Sequence, residues 1–146
     1  MKKMMALLLT VALLLAVVPV SAFAEEEADD SGIQLYSSDY FDGYGTTLTA
    51  CGKGRIKIVF TAFGADLCDQ IGVASYTVQR LGDDGYWDDV SGLLNGETGR
   101  NMLSYTFGRY FNGVAGETYR VKVTFICSKG GGVETKNFTS GRIKAK

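Results

Sequence analysis

The 146-residue chain has no histidine, a single proline, and three cysteines none of which form a C-x-x-C pair. Without an imidazole, Ser/His/Asp and Cys/His nucleophile systems have nothing to carry a proton near neutral pH. Histidine-based zinc and copper sites are excluded for the same reason. The missing C-x-x-C argues against a thiol redox motif and against a cysteine zinc site. A strongly basic face is also lacking: fifteen Lys+Arg meet sixteen Asp+Glu, which is not the balance of a nucleic-acid binder. The expectation is a chain with no enzyme activity, no catalytic residue, no cofactor and no metal site.

One long apolar run is present, at the start. Lys2 and Lys3 precede an apolar stretch from Met4 to Val18 interrupted only by Thr10. Pro19 breaks it, and Ala22-Phe23-Ala24 has the small-x-small form that signal peptidase accepts, so residues 1–24 are read as a secretory signal peptide cleaved after Ala24. The run is shorter than the roughly 20 residues a membrane-spanning helix needs. The mature protein is expected to be secreted, without a stable membrane anchor. Five acids crowd into residues 25–30, and residues 25–43 read as an acidic, polar leader, disordered in part. Thirteen cations against eleven acids remain beyond residue 30, a near balance.

From residue 44 onward no helical period of any length occurs. Short alternating runs rich in β-branched and aromatic residues are separated by glycine, Asp and Asn. Seven strands are expected, at 46–51, 55–63, 74–81, 86–90, 102–110, 118–128 and 133–140. Ile56, Ile58, Phe60 and Ala62 share one face of the second strand, and Tyr76 and Val78 point inward from the third. Leu103, Tyr105 and Phe107 do so from the fifth. Tyr119, Val121, Val123, Phe125 and Cys127 share a face of the sixth, with Arg120, Lys122 and Thr124 opposite. Sheets wet on one side and oily on the other must pack face to face. The fold class is therefore all-β, a seven-stranded antiparallel β-sandwich at 44–146, with a closed barrel as the alternative.

Two stretches carry a resemblance. GVAGETYRVKV resembles the start of the sixth strand in fibronectin type III-like domains, and YTVQRLGDDGYWDDV the third strand, turn and fourth strand. The resemblance implies an immunoglobulin-like/fibronectin type III-like sandwich in which Tyr119 forms the structural tyrosine corner. The order of signal peptide, acidic leader, ACGKGRIKIVFTAFG, IGVASYTVQRL and GETYRVKVTF is similar to small secreted Firmicutes proteins grouped as a domain of unknown function. That likeness implies location and fold, and no activity.

In such a topology the second and sixth strands run parallel, so Cys68 and Cys127 fall at one end and are the better disulfide pair. Cys51 falls at the other end and offers a route to a dimer. A bridge closing about 60 residues is worth roughly 4 kcal/mol in the chain-entropy picture. The alternative is three reduced thiols, with Cys127 as a small core residue.

The candidate ligand-binding residues are Trp87, Tyr86 and Tyr110, whose rings could stack on sugars; the ordinary alternative is that Trp87 caps the core. Asp83, Asp84, Asp88 and Asp89 surround a turn, match no calcium loop, and are ordinary turn residues. Arg55, Lys57, Arg120, Lys122 and Lys144 on outward faces keep exposed sheet soluble or meet an anionic polymer. The function expected is a secreted, non-enzymatic interaction module for a protein or glycan at the cell envelope or outside it. The alternative is a carbohydrate-binding module using the exposed aromatics.

Overall fold

The computed structural model describes residues 33–35 and 38–146. The signal peptide, its cleavage point at Ala24 and the acids of residues 25–30 lie outside the described residues. Nine strands and no helix occur among the described residues: β1 (Ile33–Leu35), β2 (Phe41–Gly52), β3 (Arg55–Leu81), β4 (Trp87–Asp89), β5 (Leu94–Asn95), β6 (Thr98–Asn112), β7 (Thr118–Lys129), β8 (Gly132–Thr139) and β9 (Ile143–Lys144). Every pairing is antiparallel, and all nine strands belong to one hydrogen-bonded network.

The turns follow from the residues that occupy them. Gly130 and Gly131 (φ 59° and 83°) form a two-residue loop that sends β7 into β8. Both central residues of such a hairpin need positive φ, which glycine adopts without steric cost. Lys53 and Gly54 (φ 55° and 77°) join β2 to β3 in the same way.

The all-β, antiparallel expectation matches this architecture; the strand count and the segmentation differ. The expected second and third strands are one 27-residue strand, β3. Its ladder with β6 runs from Arg55 to Phe63 and resumes at Cys68, opposite Met102. Five steps on β3 are matched by two on β6, so residues 64–67 are a bulge. The bulge bends the sheet without ending it, and the two halves of β3 face each other. The first half pairs with β2 and the long arm of β6. The second pairs with β7, β4, β5 and the start of β6. Short strands β1, β5 and β9 were not expected, because two or three residues leave no readable period. The boundary drawn between a leader and the domain at 43/44 falls inside β2, and Phe41 is fully buried.

Between the halves lies a single hydrophobic core. Ile56, Ile58, Phe60 and Ala62 meet Tyr76 and Val78, and the five inward residues expected of β7 are all buried. Tyr44 on β2 touches Phe125 on β7 with ring centroids 5.1 Å apart, so the halves are in direct contact. Tyr119 is buried, and its hydroxyl accepts a hydrogen bond from the Val114 amide at 2.8 Å. The inward assignment of Leu103 fails: it is 57% exposed, because β6 is at the rim of its half and Leu103 sits beside the bulge. At roughly 1.5–3 kcal/mol per fully buried large side chain, this core is the main source of stability.

Candidate interaction groove

Where two sheet halves face each other, two lateral seams remain. The seam beside β6 is closed by side chains. Glu97, in the connection between β5 and β6, accepts hydrogen bonds from the Tyr105 hydroxyl and from Nη2 of Arg109. The Glu97 carbonyl accepts from the Val73 amide at 2.9 Å, which ties this connection to the second half of β3. Arg109 stands opposite Ile58 in the first half. The Glu97–Arg109 pair therefore crosses the seam. The hydrogen bond from Tyr105, then that from Arg109, hold the Glu97 carboxyl below the usual carboxylate range. The hydrogen bond to Glu97 and partial burial push the Tyr105 hydroxyl up.

An aromatic stack lies beneath this network. The Arg109 guanidinium is 4.9 Å from the Phe107 ring, Phe107 stacks on Phe60 at 4.8 Å and 22°, and Phe60 meets Tyr76 at 4.9 Å. Burial pushes the Tyr76 hydroxyl up, against a smaller opposing pull from Arg109. Alternation in the sequence turns Phe60, Tyr76, Tyr105 and Phe107 inward; Glu97 and Arg109 are not read from it, since they meet only through the bend in β3.

On the opposite flank, between β2 and the C-terminal segment, runs a groove of about 450 Å³. Leu48, Thr49 and Ala50 form one wall and residues 142–146 the other. The second wall is held by backbone. Ile143 pairs with Tyr119 and Lys144 with Thr118; the Ala145 amide donates to the Glu117 carbonyl at 2.9 Å. The Gly54 amide donates to the Lys146 carbonyl at 2.8 Å and closes one end. Strand alternation decides the chemistry: Ile143 and Ala145 are buried, which turns Lys144 and Lys146 outward. With Arg142 the wall carries three cations, and no acid lines the groove among the described residues. The period-two pattern of RIKAK was the available signal; only Lys144 was singled out from it.

The aromatic candidates do not come together. Tyr110 lies opposite Lys57 on the outer face of the first half, and the Arg55 guanidinium is 3.8 Å from its ring centroid. Trp87 lies opposite Leu81 on the second half, half-buried, with the Arg120 guanidinium 4.2 Å from its ring. Tyr86 is 73% exposed beside it. Two of the three rings carry a cation on a face, and they belong to different halves, so no shared stacking plane is formed. Trp87 covers the outer sheet surface rather than the core. Asp84 caps its own turn, accepting from the Tyr86 amide at 3.0 Å, and Asp89 accepts from Nε2 of Gln79 at 2.7 Å. These contacts serve the turn and the sheet. No cluster of metal-ligating groups occurs among the described residues.

Cys68 and Cys127 are both buried and their sulfurs are 2.8 Å apart. Burial first, then the Cys68 contact, push the Cys127 thiol up to about 12. Cys51 is exposed on β2 next to the groove.

No protein-family model matches the chain, and no curated protein matches it. Among solved structures it is similar to the crystal structure of a protein from Archaeoglobus fulgidus, with 16% identity and a TM-score of 0.39 over 73% of this chain and 98% of that one. A likeness of that degree carries no functional or fold assignment.

Proposed function

We propose that this chain is a secreted, non-enzymatic interaction module that binds a protein or glycan partner at the cell envelope or in the surrounding medium, and that the β2–β9 groove is its contact surface. The observation that carries the reading is the groove itself: extended backbone on both walls, and cations on one wall only. Extended backbone suits an added strand, and the cations favour an anionic partner. The pairing β2–β3–β6 on one half and β4–β3–β7–β8 on the other supports reading the curled sheet as an immunoglobulin-like/fibronectin type III-like sandwich. The Tyr119–Val114 hydrogen bond supports the tyrosine corner that goes with it. The likeness to small secreted Firmicutes proteins supports the extracellular setting.

The test is a binding panel of acidic peptides, anionic polysaccharides and neutral glycans on the immobilised protein. An anionic ligand should be retained, and Lys144→Glu with Lys146→Glu should weaken it by about tenfold. A carbohydrate-binding module would instead retain neutral glycans and lose them in Trp87→Ala or Tyr110→Ala. Retention unaffected by the lysine reversals would remove the groove from the account.

A further inference from the structure

Three parts of the chain meet at one corner of the fold. The β3 bulge has no ladder to β6 between Phe63 and Cys68. Its Ala65 amide donates instead to the Tyr40 carbonyl at 2.9 Å, at the entry to β2. The β7–β8 hairpin is tied to the same corner. The Gly130 amide donates to the Asp69 carboxylate at 2.9 Å, and Nζ of Lys129 donates to the Asp39 carbonyl at 3.1 Å. These outer contacts are exposed.

Beneath them lie two buried sulfurs. Cys68 closes the bulge and Cys127 lies in β7. The β3–β7 ladder sets Cys127 opposite Ile71, three residues beyond Cys68, so the two cysteines are not a directly opposed pair. Their side chains still converge, with the sulfurs 2.8 Å apart. A small side-chain movement brings such a pair to bonding distance, roughly 2.05 Å. The backbone is shaped to admit the sulfur. A Cβ on Gly64 would sit 2.5 Å from Sγ of Cys68 and 2.7 Å from the Asp66 carbonyl oxygen. Only glycine at the start of the bulge leaves that room. Cys51 is exposed on β2, one residue before the turn into β3, and has no part in the buried pair.

We propose that Cys68 and Cys127 are a disulfide site, and that the bond staples the β3 bulge to β7 while Cys51 stays free. The oxidant is a small-molecule or protein disulfide. One cysteine, as thiolate, attacks it, forms a mixed disulfide and releases one oxidant thiolate. The other cysteine, as thiolate, attacks the first cysteine's sulfur, which makes the Cys68–Cys127 bond and expels the second oxidant thiolate. The oxidant gains two electrons and takes up the two protons that the cysteines lose. Burial, then the Cys68 contact, push the Cys127 thiol up to about 12 in the folded chain. Since the thiolate is the attacking form, exchange belongs to the open chain, before the core closes over the pair. The bond spans 59 residues, from the bulge through β4, β5 and β6 into β7. Closing a loop of that length lowers the unfolding equilibrium constant by about a thousandfold in the chain-entropy picture. The supply of oxidant in the organism rests on the secreted reading; the convergence of the sulfurs does not.

The test starts from the full chain, reduced and unfolded in guanidinium, then refolded in a glutathione redox buffer and alkylated after denaturation. Peptide mapping without reduction should find Cys68 linked to Cys127 and one alkylated thiol, at Cys51. Three alkylated thiols, or a bridge to Cys51, would overturn the site. Cys51→Ser should form the same link to the same extent. In urea titrations of Cys51→Ser, dithiothreitol should raise the unfolding equilibrium constant by about a thousandfold. A rise below about tenfold would overturn the staple. Recovery from an exporting host separates this inference from the secreted reading. If the chain stays in the cytosol with three thiols while the refolded chain closes the bridge, the secreted reading fails and the site stands. If the chain is exported and still carries three thiols, the site fails.

Discussion

The two seams of the sheet are built from different materials. On the β6 side, Glu97, Tyr105 and Arg109 satisfy one another across the gap and cover three packed rings. On the β2 side, the C-terminal wall is held by backbone hydrogen bonds, one of which closes an end of the groove, and its charges are of one sign. A seam closed by mutually paired side chains has nothing further to offer a ligand. A seam of extended backbone and one sign of charge has both shape and charge to complement. The difference teaches that the same curled sheet can be sealed for stability along one side and kept receptive along the other.

Breaking the closed seam should have the largest effect. Phe60→Ala removes the ring shared by Phe107 and Tyr76 and should lower unfolding free energy by about 3–5 kcal/mol in a urea titration. A loss below about 1 kcal/mol would mean that the stack is not a core element. Gly54→Ala probes the end of the open seam. The residue has φ of 77°, and an added Cβ would sit 2.2 Å from the Gly113 carbonyl oxygen. A loss of about 1–3 kcal/mol is expected, together with weaker protection of the Gly54–Lys146 hydrogen bond in amide exchange.

These sites differ in how far the sequence disclosed them. Phe60 was legible, because strict alternation in RIKIVFTAF leaves only one face to bury. The same logic recovered the buried face of β7 and the glycine hairpin to β8. The bulge at 64–67 was not legible as one: Gly64, Ala65 and Asp66 are poor strand formers and read as the end of the second strand at 63, whereas the chain bulges there and pairing resumes at Cys68. Once the bulge was missed, so was the meeting of Glu97 with Arg109, which depends on the halves of β3 folding over. The aromatic residues were legible as exposed, but sequence does not tell which half carries each ring.

Smaller effects sharpen the comparison. Thr46, on β2 at the head of the groove wall, is buried with no hydrogen-bond partner for its hydroxyl among the described residues. Thr46→Val keeps the β-branched shape and removes an uncompensated polar atom, so stability should rise by about 1 kcal/mol in the same titration. An unchanged or lower stability would mean that the hydroxyl is satisfied in solution. The smallest effect is electrostatic. Glu97 has a depressed folded pKa, so its contribution is present above the unfolded value of roughly 4.3 and is lost as pH falls through the lower folded value. Glu97→Gln should flatten the pH dependence of stability below about pH 5. Tyr105 is shifted upward, so its contribution holds below about pH 10 and is lost as pH rises through the higher folded value. Tyr105→Phe should flatten the alkaline limb. Unaltered pH profiles would show that the network does not bridge the halves in solution.

Hydrogen exchange read at both seams in one experiment tests the account most directly. When a saturating acidic peptide is added, amides at 46–52 and 142–146 should gain protection while those at 98–112 stay unchanged. Unchanged exchange along the β2–β9 groove, or an equal gain at the two seams, would contradict the claim that this side of the sheet is the receptive one.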